Sequence, residues 1–235
     1  MKSFLLIGQS NMAGRGDFGE VPEIVNDKCF MLRNGRFIPM SEPVNVDRPI
    51  FSYYHSGVGL AASFADEYAK FYGEAVGLIP CAEGGTYLSE WQPGEIFYDN
   101  AVCQARLASR SSEIVGILWH QGENDTTDIK LVEAYLKGFM TMINTLISDL
   151  QLPKNIPVIV GEIGDFVEGY LDGRCKYFKE LNSVLKEIAD SLESGGIASS
   201  KGLTCRSDNI HFDSKSYREL GHRYFEEYKR IVLGE

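Results

Sequence analysis

The amino-acid sequence predicts an α/β protein: a three-layer α/β/α sandwich on a mostly parallel five-stranded sheet. Three observations predict it. Short runs rich in Val, Ile and Leu alternate along the chain with longer stretches of helical periodicity. These runs are apolar without a break, as strands covered on both faces are, and do not alternate as a half-exposed sheet would. Three of them are followed by loops rich in glycine, small polar and charged residues, at the strand ends where sheets of this kind hold their ligands.

The first strand falls at residues 3–7, where Phe4, Leu5, Leu6 and Ile7 form a buried-strand run and Gly8 turns the chain. Further strands are expected at 28–33, 75–80 (AVGLIP), 114–119 and 157–162. Helical patterns lie between them at about 59–71, 96–109, 128–150 and 173–191, with a last amphipathic stretch at about 214–231. The segment 34–58 is long and aromatic-rich, and is expected to form an irregular wall or lid beside the site. The 235 residues, 44% of them hydrophobic, can bury one full core and read as a single domain over 1–235, without repeats or a low-complexity tract.

Charge and cysteine usage narrow the function classes. The 33 acidic against 23 basic residues leave a formal net charge of −10, which repels a phosphate backbone, so nucleic acid is not an expected partner. Five cysteines, at 29, 81, 103, 175 and 205, are odd in number and contain no C-x-x-C pair. Reduced thiols in a cytoplasmic protein are expected, not a zinc ribbon or a disulfide scaffold. The apolar run at the N-terminus is too short for a signal-peptide core, and no stretch approaches the roughly 20 apolar residues of a membrane span.

Chemistry concentrates in the loops. After the first strand comes "GQSNMAGRG", in which a sharp turn raises Ser10 as a nucleophile, or lets Ser10 or Asn11 cap a helix. After the third and fourth come "CAEGGTYLSEW" and "HQGENDTTD". Near the C-terminus "TCRSDNIHFDS" places Asp208 three residues before His211, close enough to accept the imidazole Nδ1–H and fix its tautomer. An acyl-transfer site also needs donors for an oxyanion: the Ser10 N–H, an N–H in Gly84–Gly85 and the Gln121 amide converge if the three loops share one face. Glu123 and Asp125 could orient the histidine, hold Arg15 or cap the helix near Thr126. Arg15 and Arg206 could neutralise Glu123 or Asp208. Tyr87, Trp91 and Trp119 could stack on a sugar or pack the core.

Three rivals compete with this reading. "GRGDFG" at Gly14–Gly19 satisfies G-x-G-x-x-G, but six residues separate it from the strand, where a dinucleotide site would open directly. A metal-dependent hydrolase would use His120, Glu123, Asp125, Asp208 and His211, yet neither H-x-H nor H-E-x-x-H spacing is present. The third is a non-catalytic carbohydrate-binding protein on a hydrolase fold.

"GQSNMAGRG", "AEGGTYLSEW", "LWHQGENDT" and "DNIHFD" together resemble the four blocks of the SGNH hydrolase superfamily, in its branch of carbohydrate acetylesterases that contains sialate O-acetylesterases and acetylxylan esterases. The match runs from Gly8 to Asp213. The resemblance implies Ser10 as nucleophile, Asp208 and His211 as the rest of a triad, and Ser10, Gly85 and Gln121 as the oxyanion hole. Gln9, Asn11, Arg15, Glu123 and Arg206 would support them. Gln121 stands where the wider superfamily has Asn in a G-x-N-D block, a change this branch shares. The expected substrate is a small acetylated carbohydrate, such as a xylan fragment or an acetylated sialic acid, cleaved with no cofactor and no metal.

Overall fold

Phe4, Leu5, Leu6 and Ile7 are each at most 2% exposed, and their alternation divides the interior. Leu5 and Ile7 enter one apolar cluster, Phe4 and Leu6 another on the opposite face. Burying each such side chain stabilises the fold by roughly 1.5–3 kcal/mol, so this run anchors β1 (Lys2–Gly8) as the central strand. The structure is a computed structural model and describes residues 1–47 and 55–234.

Seven strands form one sheet: β1, β2 (Cys29–Arg33), β3 (Arg36–Pro39), β4 (Val76–Pro80), β5 (Glu113–His120), β6 (Val158–Gly161) and β7 (Gly195–Ala198). Their order is β3-β2-β4-β1-β5-β6-β7, parallel throughout except for the β2–β3 hairpin. The expected mostly parallel three-layer fold is present, with two more strands than the five expected. Both additions are sheet edges: β3 is mostly exposed and starts at an arginine, and β7 opens on two glycines.

The helices are α1 (Ser10–Ala13), α2 (Leu60–Tyr72), α3 (Ile96–Ala108), α4 (Ile129–Asp149), α5 (Phe178–Ser191) and α6 (Ser214–Leu233). Apolar faces of α3, α4 and α5 cover one side of the sheet, and those of α2 and α6 the other. Helix α5 starts five residues later than its periodicity predicts. A 3-10 stretch at Asp165–Asp172 precedes it, and positive φ at Leu171, Asp172 and Gly173 keeps the chain from entering an α-helix sooner. Among the described residues, no helix is long and apolar enough to cross a membrane.

Sheet order positions the site. β4 and β5 flank β1, so the loops after these three strands lie side by side at their carboxyl ends, where the strand order reverses. Part of the segment 34–58 is β3, and Gly57 and Val58 pair with the Gly14–Gly16 backbone as a wall behind the first loop. Residues 48–54 of the expected lid lie outside the described residues. Gly14–Gly19 is irregular and opens no helix, which removes the dinucleotide reading.

Candidate active site

The turn after β1 is built on Gly8, which has φ +133°; a Cβ there would lie 2.2 Å from the carbonyl oxygen of His120 on the neighbouring strand. Only glycine lets β1 end this close to β5. The chain then turns at Gln9, and Ser10 begins α1 as a buried residue.

On the far side of the cleft, Cys205 and Phe212 close a short loop as an isolated bridge. Asn209 takes the left-handed conformation its side chain tolerates. Asp208 splits its carboxylate between two tasks. Oδ1 accepts the backbone N–H groups of Ile210 and His211, both at 3.0 Å, while Oδ2 lies 2.8 Å from His211 Nδ1. With Nδ1–H donated to Asp208, His211 Nε2 is left as an acceptor, 2.9 Å from Ser10 Oγ. Partial burial pushes the Asp208 carboxyl up, but the His211 side-chain and the backbone hydrogen bonds outweigh it and hold the group well below the usual carboxylate range. Asp208, His211 and Ser10 thus form one hydrogen-bonded chain.

The loop after β4 is tied to β1 by the Glu83 N–H donating to the Gly8 carbonyl at 2.9 Å. It passes so close to the nucleophile that a Cβ on Gly84 would lie 2.8 Å from Arg15 Nη2 and 3.6 Å from Ser10 Cβ. Asn124 Nδ2 donates to the Gly85 carbonyl at 2.5 Å and fixes that peptide. Among the described residues, the N–H groups of Ser10 and Gly85 have no protein acceptor, as donors kept for a ligand should.

Gln121 departs from its expected role. It is fully buried, and its amide nitrogen, Nε2, faces three acceptors: Gln9 Oε1 (3.1 Å), the Thr86 carbonyl (2.8 Å) and Asp125 Oδ2 (2.6 Å). Its Oε1 accepts from Tyr135 Oη at 2.7 Å. Two amide hydrogens with three protein acceptors leave none for an oxyanion, so Gln121 is a brace joining the loops after β1, β4 and β5 to α4. Thr86 and Tyr135 complete this brace; Thr86 stood in the quoted loop without being singled out, and Tyr135 carried no signal in the sequence.

Other expectations are corrected in the same way. Asp125 accepts the Leu88 N–H as well as Gln121, and burial pushes its carboxyl up to about 6; the cap of α4 is Asp128, which accepts the Lys130 N–H. Among the described residues, Arg15 forms no ion pair. Its Nη1 donates to the Gly14 carbonyl and Ser56 Oγ, its Nε has no partner, and burial lowers its pKa. Arg206 neutralises neither Glu123 nor Asp208; it donates to the Arg15 carbonyl and pairs with Asp17, tying the histidine loop to the first loop. Trp91 and Trp119 are at most 1% exposed and pack edge-to-face with centroids 5.4 Å apart, so both are core residues; Tyr87 alone is half-buried at the rim. His120 is fully buried against Tyr224, and burial lowers its pKa to about 3. Among the described residues, no group of three or more His, Cys, Asp or Glu side chains is placed to hold a metal ion.

Known proteins resemble this chain over nearly its whole length. The profile of the family described as carbohydrate esterase, sialic acid-specific acetylesterase, matches residues 1–230. The probable carbohydrate esterase At4g34215 of Arabidopsis thaliana is 31% identical over 93% of this chain and 86% of its own length. Its crystal structure superposes with a TM-score of 0.85, covering 97% of both chains. The fold is also that of NanS (TM-score 0.79, 15% identity, 99% of this chain and 98% of that one). A carbohydrate acetylesterase from Xanthomonas citri, XAC1771, matches with a TM-score of 0.72 and 18% identity over 99% of this chain and 57% of its own. The chain belongs to the carbohydrate esterase family of sialic acid-specific acetylesterases and has the SGNH hydrolase fold.

Proposed function

We propose that this carbohydrate esterase is a serine esterase that removes O-acetyl groups from sugars through an acyl-enzyme. The observation that carries the reading is the chain from Asp208 through His211 to Ser10 at the strand-end cleft. Ser10 Oγ attacks the ester carbonyl carbon as its proton passes to His211 Nε2, and the carbonyl oxygen becomes an oxyanion held by the Ser10 and Gly85 N–H groups. The bond from the acyl carbon to the sugar oxygen then breaks, and that oxygen leaves with the proton from His211. A water molecule, deprotonated by His211, attacks the acetyl carbon; Ser10 Oγ departs with the proton, and acetate is released. Asp208 holds the imidazole in the tautomer both halves require. The scheme uses no metal and no organic cofactor.

The substrate is a small acetylated carbohydrate, and the family match favours an acetylated sialic acid over a xylan fragment. Acetate release from a panel of defined O-acetylated sialic acids and xylo-oligosaccharides is the test. Turnover of at least one class, with kcat/KM highest for the sialic acids, is expected. Binding of these sugars without acetate release would instead make the protein a carbohydrate-binding module.

A further inference from the structure

Asn11 follows the nucleophile in sequence and is 1% exposed. Its Nδ2 donates to the Ile210 carbonyl at 3.0 Å and to Glu123 Oε1. Its Oδ1 accepts from the Phe212 N–H at 3.3 Å and from Tyr217 Oη at 2.6 Å. A backbone N–H can only donate and a carbonyl can only accept, so Phe212 and Ile210 fix which way round the carboxamide sits. These two residues flank His211. The neighbour of the nucleophile therefore clasps the backbone on both sides of the base. Among the described residues, no other group bonds the Ile210 carbonyl or the Phe212 N–H.

Glu123 is the far anchor of this clasp. It is fully buried, its Oε2 has no partner, and burial pushes its carboxyl up, although the Asn11 hydrogen bond and others oppose that shift. The scheme above gives it no task. Its one side-chain hydrogen bond to another side chain, among the described residues, is to Asn11.

We propose that Asn11, anchored by Glu123, is a positioning pair that sets the distance and angle between Ser10 Oγ and His211 Nε2. The proposal rests on the assignment of Ser10 as nucleophile and His211 as base. Neither Asn11 nor Glu123 touches substrate. What Asn11 Nδ2 takes from Glu123 is an acceptor oxygen, which Glu123→Gln preserves and Glu123→Ala removes.

The test is steady-state hydrolysis of p-nitrophenyl acetate, with a melting curve, for Asn11→Ala, Glu123→Ala, Glu123→Gln and the reference Ser10→Ala. Asn11→Ala is expected to lower kcat about 10²-fold, the scale of a small misplacement of reacting groups, with KM changed no more than about twofold. Glu123→Ala should follow it, and Glu123→Gln should stay within a few-fold of the parent. If Asn11→Ala does not fold, the contrast between the two Glu123 variants carries the test. A folded Asn11→Ala enzyme with parental kcat, or Glu123→Gln as impaired as Glu123→Ala, overturns the proposal. Turnover by Ser10→Ala would instead overturn the assignment on which it rests.

Discussion

Replacement of Ser10 by alanine is expected to lower kcat by about 10⁶-fold, as removal of a serine nucleophile does elsewhere, with the melting temperature near that of the parent. Both halves of this expectation follow from the geometry. Ser10 Oγ has one hydrogen-bond partner among the described residues, His211 Nε2, so the substitution leaves no other protein group without its partner. Alanine keeps the Cβ that packs beside Gly84 and suits the first turn of α1. Everything that binds and polarises the ester survives, and the residual rate measures what those groups do without a nucleophile. Kinetics on p-nitrophenyl acetate and a melting curve on the same preparation decide the matter. A folded variant retaining a tenth of the parental rate would remove Ser10 from the reaction.

Gln121→Ala is expected to act chiefly on stability, and through stability on both kinetic constants. The substitution leaves Asp125 Oδ2, the Thr86 carbonyl and Gln9 Oε1 without the amide they share, and Tyr135 Oη without its closer acceptor. Unsatisfied buried groups cost about 1–3 kcal/mol each, and some of these keep a second partner: Asp125 the Leu88 N–H, Gln9 the Gly122 N–H at 3.4 Å, Tyr135 the Gln121 carbonyl. A net loss of about 3 kcal/mol lowers the melting temperature of a domain this size by roughly 10 °C. Because the brace joins the loops carrying Ser10 and Gly85, kcat should fall and KM rise together. Were Gln121 an oxyanion donor, kcat alone would fall and the melting temperature would hold. Gln121→Glu sharpens the contrast: a carboxylate there faces three acceptors, so the variant should be less stable still.

What the sequence revealed and what it concealed divide along a physical line. The contact of Asp208 with His211, and of His211 with Ser10, was legible because an Asp three residues before a His meets it within one turn and because the first loop and the last both sit at the strand ends. The central strands were legible because a strand buried on both faces is apolar at every position. Gln121 misled because an amide in a strand-end loop donates equally well to a substrate or to its own protein, and its three acceptors come from positions 9, 86 and 125. Trp91 and Trp119 took the core alternative, because each indole satisfies its N–H inside the protein, on Thr86 and on Tyr135, and then buries completely. Edge strand β3 escaped because exposure relaxes the demand for apolar residues, and β7 because two of its four residues are glycines. The clasp on His211 was invisible as such, since Asn11 and the residues it holds lie about 200 positions apart, although Asn11 and Glu123 stood among the expected supporting residues.

Ser10 Oγ, as the attacking atom, carries the proposed reaction. Inactivation by a serine-directed phosphonate, followed by peptide mapping, tests it without requiring a short-lived acyl-enzyme to accumulate. One adduct per chain is predicted, on the peptide that contains GQSNM, with activity lost in proportion to labelling and no adduct on Ser10→Ala. An enzyme that is inactivated through another residue, or that is labelled at Ser10 and continues to hydrolyse its ester, would contradict the account.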